Sequence, residues 1–201
     1  LYPKDHPYNW QVIGSLEDLQ NATLDDVKTF FKKWYVPNNT TLVLSGDFDM
    51  EQAKEWVHKY FDEIPRGEEI TPLEKRPGVV LETKRLYYED NFARLPELTL
   101  TWPTVELYHD DSYALDVLTE YLSSGKKAPL NQVLVDELKV TAFPRMFNWS
   151  SELAGQMQLA VRAFNDKDLD EVLAGIEKAM AKFEEEGISQ EDLDRIKAGQ
   201  E

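Results

Sequence analysis

Apolar residues first recur at helical spacing in "NATLDDVKTFFKKWY", where Leu24, Val27, Phe30, Phe31 and Trp34 share one face. Thr23 with Asp26 three residues on is an acidic variant of the capping box and marks the helix start. Pro37, which has no backbone N–H to donate, and the turn-forming Asn38 and Asn39 end the helix. "TTLVLSG" is a short apolar run with β-branched residues at its entry, predicted as a buried strand. A second helix follows, capped by Asp47 or Asp49, with Ala53, Trp56, Val57, Tyr60 and Phe61 as its stripe. The opening unit reads helix, strand, helix.

The pattern then breaks. "PRGEEITPLEKRP" carries three prolines among mixed charges, the composition of a linker. This divides the chain into residues 1–64, a linker at 65–80 and a second part at 81–201. The second part opens with "VVLETKRLYYE", extended in character, and "PELTLTW", where Leu98, Leu100 and Trp102 alternate with polar neighbours at a period of two. "DDSYALDVLTEYLSS" sets Tyr113, Ala114, Val117, Leu118, Tyr121 and Leu122 on one helical face and stops at Gly125. "PLNQVLVDEL" reads as a shorter helix with Pro129 in its first turn. "KVTAFPRMFNWSSEL" and "GQMQLAVRAF" read as antiparallel strands, the latter alternating Met157, Leu159 and Val161. Two helices close the chain, one striped by Leu169, Val172, Leu173, Ile176, Met180 and Phe183, the other opened by Ser189 and Asp192. Strand pairs followed by helix pairs predict an α+β layer, an antiparallel sheet covered on one face by helices. The helix–strand–helix unit before it is compatible with the tail of an earlier, similar domain.

Composition narrows the function. Lys and Arg total 22 against 38 Asp and Glu, a net charge of −16 that repels phosphate backbones and anionic lipid. No nucleic-acid partner and no membrane insertion are expected, since no apolar run reaches the roughly 20 residues that span a bilayer. The absence of cysteine excludes disulfides, thiol catalysis and thiolate-bound metals. The start at Leu1, with neither Met nor a signal-peptide pattern, and the stop inside the helical "RIKAGQE" suggest a piece of a longer protein.

Candidate chemistry is sparse. A helical zinc site needs two histidines one turn apart with an acid beside them. Of His6, His58 and His109, only His58 approaches this, with Glu55 before it and Asp62 one turn after, and a surface role suits it better. His109 in "YHDDS" precedes a helix that Asp111 or Ser112 would cap, and His6 before a proline suits a structural role. There is no G-x-S-x-G elbow, and "SSGKKAPL" lacks the upstream glycine and the Ser/Thr of a phosphate loop, so a helix–helix turn is the simpler reading. Glu184 to Glu186 form a solvated helix end. "NAT", "NNT", "NTT" and "NWS" match the glycosylation pattern, which is common by chance. No catalytic, cofactor-binding or metal residue is assigned to this chain.

Order of motifs says more than any single one. "HPYNWQVIGSLEDLQNATLDDVKTFFKKWYVPNNTTLVLSGDFD" resembles the insulinase/pitrilysin family of zinc metallopeptidases, in which HPYG-P-IG, a helix and Y-x-PNN-x-x-LV-x-x-GD end the catalytic domain. Asn9, where the family usually has glycine, and Gln11 depart from it. Beyond the linker, "LTLTWPT", a helix and "LSSGKKAPLNQVLVDE" are similar to the strand–WP–helix–G-G-K–helix run of the family's zinc-free domain.

The resemblance implies a parent zinc metalloendopeptidase with an inverted H-x-x-E-H helix, two His on zinc and Glu as general base. Those residues precede "HPY" in the family, so none is carried onto this chain. It implies zinc in the parent but no cofactor here, a peptide substrate reached through the catalytic domain, and a second homologous half or partner subunit. The inactive domain would help wall a chamber for peptides or unfolded polypeptides. In two-half members, one half supplies a substrate-binding Arg and Tyr. Val135 and Ala142 stand at those positions, which points to the zinc-bearing half or to a half without a catalytic role. Some family members have lost the zinc residues and act as structural or assembly subunits, which is the alternative reading. Many bacterial relatives are exported, so a periplasmic or otherwise exported bacterial protein is expected.

Overall fold

The computed structural model describes residues 1–200. The chain separates into two compact units, one comprising Leu1–Asn9 with Glu74–Glu201 and the other Trp10–Leu73. The division at 73/74 lies inside the segment 65–80 that the sequence predicts as a linker, while the first nine residues group with the larger unit rather than with residues 10–64.

The larger unit is built on a three-stranded antiparallel sheet of β1 (Glu97–Thr104), β2 (Thr141–Ser150) and β3 (Gly155–Ala163), in the order β1–β3–β2. Register places Leu100 and Met146 on either side of Leu159, and Leu98 and Pro144 on either side of Val161. Period-two alternation therefore puts every one of these side chains on one face, as the sequence pattern requires. Pro144 is tolerated because β2 is an edge strand. The register shifts between Thr141 and Pro144, a bulge stitched by Thr141 Oγ1 donating to the Arg162 carbonyl at 2.7 Å.

The apolar face is covered by α4 (Asp110–Ser123), a π-helical segment (Asn131–Glu137) and α5 (Leu169–Glu186), with α6 (Gln190–Gln200) after them. Leu122, Leu134, Val161 and Val172 are fully buried in one continuous core. Gly175 allows α5 to approach the π-helical segment: a Cβ there would meet Leu134 Cδ2 at 2.7 Å. The shorter helix predicted at "PLNQVLVDEL" is thus present but wound more widely, with Leu138 N–H donating to the Val133 carbonyl five residues back. On α4 the buried side is Ser112, Thr119 and Leu122, whereas Tyr113 and Ala114 are exposed, so the covered face is rotated from the predicted stripe. Polar residues can face inward because Ser112 and Thr119 donate to the carbonyls of His109 and Asp116.

One predicted strand is absent here. Residues 79–89 form no ladder, and Leu81, Leu86 and Tyr88 are 94%, 97% and 86% exposed. Val79 to Leu81 and Leu86 to Tyr88 are contiguous apolar triplets separated by charges. Pairing them would turn apolar groups to both faces of a one-sided sheet.

The smaller unit holds α1 (Leu16–Asn21), α2 (Leu24–Trp34) and α3 (Met50–Phe61). Thr23 and Asp26 close the predicted capping box reciprocally, and Asp49 rather than Asp47 caps α3 by accepting from Gln52 N–H at 2.8 Å. The run "TTLVLSG" forms no strand, and Leu42, Val43 and Leu44 are exposed. A strand needs a neighbour for its backbone groups, and the described residues of this unit offer none. Asn38 instead clamps the chain, donating to the Glu68 carbonyl at 3.0 Å and accepting from Gly67 N–H at 2.8 Å.

Candidate functional site

The three histidines resolve into three kinds of structural residue. His6 is fully buried, and Tyr8 N–H donates to its Nδ1 at 3.0 Å, so Nε2 carries the proton and donates to the Arg76 carbonyl at 2.8 Å. Tyr2 stacks on the imidazole at 4.5 Å, and Tyr8 Oη accepts from Leu153 N–H, fastening the first nine residues to the larger unit. His109 is itself the cap of α4: its Nδ1 accepts from Asp111 N–H at 3.1 Å. Expecting Asp111 or Ser112 in that role overlooked that a neutral imidazole nitrogen accepts as a side-chain oxygen does.

His58 and Asp62 lie one turn apart on the end of α3, 3.0 Å between Nδ1 and carboxylate, both largely exposed. The two side chains are engaged with each other. Among the described residues, no three His, Asp or Glu side chains converge as metal ligands. The "SSGKKAPL" loop is a helix–turn: Gly125 has φ +82°, and Asn131 Nδ2 donates to the carbonyls of Ser123 and Gly125 at 2.8 Å. Val135 is half-buried in the π-helical segment and Ala142 is exposed at the start of β2.

Carboxylates are held by local partners. Lys75 Nζ donates to Glu106 Oε1 at 2.8 Å and holds that carboxyl below its usual range. Arg76 does the same for Asp5, the Thr23 side chain for Asp26 and the Ser189 side chain for Asp192. Burial raises the phenols of Tyr2 and Tyr121. These are structural pairings.

What the larger unit presents is surface. The sheet face opposite the helices carries Thr99 and Thr101 on β1, Gln158 and Arg162 on β3, and Phe143, Arg145, Phe147 and Trp149 on β2. Phe143 and Trp149 are 59% and 63% exposed, which sequence alternation alone could have located by reading β2 outward. A separate open groove of about 550 Å³ runs beside the end of β1, lined by Pro77, Gly78, Pro103, Val105, Ala114 and Leu118.

The profile of the family described as Peptidase M16 inactive domain matches residues 21–200. A zinc protease, PqqE, of Helicobacter pylori is 28% identical over 200 residues, covering 97% of this chain and 44% of that protein. The crystal structure of a protease from Helicobacter pylori superposes with a TM-score of 0.75 at 26% identity, over 97% of this chain and 48% of the other. The first half of the periplasmic protease PqqL from Escherichia coli shares the fold at 21% identity and a TM-score of 0.64, over 94% and 41% of the two chains. The chain thus spans about half the length of the relatives it matches. The likeness places it among α+β inactive domains of zinc proteases, as its motif order implied.

Proposed function

The chain belongs to the peptidase M16 family through its inactive domain, and on that premise we propose that it is a non-catalytic wall of a zinc peptidase. In this reading residues 1–64 are the end of a catalytic-type domain, 65–80 the linker, and 81–201 an inactive domain that helps enclose peptides or unfolded polypeptides. A single observation carries the reading: the sheet is sealed by helices on one face and open on the other, where Phe143, Phe147 and Trp149 stand exposed. A face of this kind suits contact with extended chain, since aromatic and amide side chains engage peptide groups without regard to sequence. The smaller unit supports the first part. Leu24, Val27, Phe30 and Phe31 of α2 and Trp56 and Tyr60 of α3 are exposed, apolar faces that a larger domain would cover.

Zinc and peptide-bond hydrolysis then belong to the longer protein, with a homologous half or subunit completing the chamber. Export to a bacterial periplasm is part of the same reading, supported by the likeness to a periplasmic protease. Among the described residues no helix is long and apolar enough to cross a membrane. Elemental analysis tests the reading. The 201-residue chain is expected to carry no stoichiometric zinc and to cleave no unstructured peptide. Joined to the sequence that precedes it in its gene, it is expected to bind zinc and to cleave the peptide. One tightly held zinc in the short chain overturns the non-catalytic assignment. A longer protein with neither zinc nor activity favours the structural-subunit alternative.

A further inference from the structure

A second cavity in the larger unit, about 260 Å³, lies where β2 meets the start of α4 and is lined by Leu107, Tyr108, Tyr113, Asp116, Asn148 and Trp149. Three aromatic residues line it, Tyr108, Tyr113 and, at the edge of β2, Trp149, 79%, 59% and 63% exposed, and none stacks on another among the described residues. Tyr108 is held there by a left-handed backbone, φ +66°, a conformation that a bulky residue rarely adopts. The carboxylate of Asp116 is fixed at the wall. Asn148 Nδ2 donates to its Oδ1 at 3.1 Å, and Thr104 Oγ1 donates to Asn148 Oδ1 at 2.9 Å, which fixes the amide in turn. Among the described residues Asp116 has no cationic partner, so an oriented anion faces an aromatic-walled cavity with Oδ2 uncommitted.

We infer that this cavity takes the side chain of an arginine or lysine in a bound polypeptide. Aromatic faces and a carboxylate are the two features that attract such a cation, the first through the ring quadrupole, the second through charge-assisted hydrogen bonds. Arginine suits it best, because its planar guanidinium stacks and bonds at once. The surface around it reinforces the choice. Asp110 and Asp111 lie in the first turn of α4, the helix that carries Asp116, and the whole chain carries −16, which draws basic segments toward it. The inference rests on the proposed handling of polypeptides only in naming the cation's source, and it extends that reading from an indifferent wall to one with a preferred residue.

The test uses the 201-residue chain and N-acetyl-Gly-Gly-Arg-Gly-amide, with the citrulline peptide as an uncharged isostere. In a two-dimensional NMR titration, the indole N–H of Trp149, identified by its loss in Trp149→Phe, is expected to shift saturably with the arginine peptide. Amides near Asp116 should move with it. The citrulline peptide is expected to bind at least about tenfold more weakly, and Asp116→Asn to cost the arginine peptide a similar factor. Trp149→Leu, at an exposed position, should weaken binding while leaving the core resonances in place. Equal binding of the two peptides, unchanged affinity in Asp116→Asn, or shifts scattered over the acidic surface would each overturn the inference. None of these results bears on zinc content, so the failure of one reading leaves the other standing. If N-acetylarginine methylamide saturates the site and the tetrapeptide does not, the polypeptide source is wrong.

Discussion

At the scale of single residues, His6 and Gly155 are each held by close backbone neighbours. Replacing His6 by Ala leaves the Tyr8 N–H and the Arg76 carbonyl without partners in a buried place, at a cost of about 2 kcal/mol. His6→Ala is therefore expected to lower the denaturant midpoint and to open residues 1–9 to proteolysis. Gly155 stands where a Cβ would lie 2.1 Å from the Val105 carbonyl oxygen, and backbone cannot yield as a side chain can. Gly155→Ala is expected to destabilise by about 3 kcal/mol, more than Gly175→Ala, whose Cβ meets leucine methyl groups instead. Glu106 gives a pH signature. Its carboxyl is lowered from 4.5 by Lys75, so its contribution is complete above that value and is lost as pH falls through the lower, folded-state value. Thermal unfolding of Lys75→Met and the unaltered chain should differ at neutral pH and converge as pH falls through the lowered, folded-state value of Glu106.

At the scale of elements, local signals and tertiary context separate cleanly. Thr23 bonds the Asp26 N–H and receives its carboxylate in return, and Thr23→Ala is expected to reduce the helicity of α2 with a loss of about 1 kcal/mol. That cap was legible because it is written in four adjacent residues. The sheet was legible in β1, β2 and β3, where Leu98, Leu100, Met157, Leu159 and Val161 alternate around a one-sided core. Residues 40–46 and 79–89 were not, since an apolar run specifies burial and leaves open what will supply the hydrogen-bonded neighbour. Short α1 escaped notice because Ser15 caps six residues with no stripe of their own. The widened turn at Asn131–Glu137 has no sequence signal; it lies where α5, at Gly175, comes close to Leu134. The cavity beside Asp116 was invisible for a similar reason, being assembled from a loop, a helix and an edge strand that only the fold brings together.

At the scale of the whole molecule, the two units differ in what holds them. The larger has a continuous core in which Leu122, Leu134, Leu159 and Val172 have no solvent exposure. Within Trp10–Leu73, Val36 is the one buried residue, packed beside Gly67, where a Cβ would clash with it at 2.6 Å. Helices this short draw little stability from propensity and depend on a packed apolar face. The faces of α2 and α3 remain open. Burial of a Phe or Trp contributes roughly 1.5–3 kcal/mol, so leaving Phe30, Phe31 and Trp56 half exposed withholds much of what would keep this unit folded. Hydrogen exchange is expected to divide the chain accordingly. Amides of β3 should exchange only through global opening, and those of α2 and α3 through local opening of far lower free energy. A dye that fluoresces on apolar surface should bind the chain and be released when Trp56→Glu and Phe30→Glu are introduced together. If α2 and α3 are protected as strongly as β3, the smaller unit has found cover of its own, and the proposal that a larger domain completes it fails.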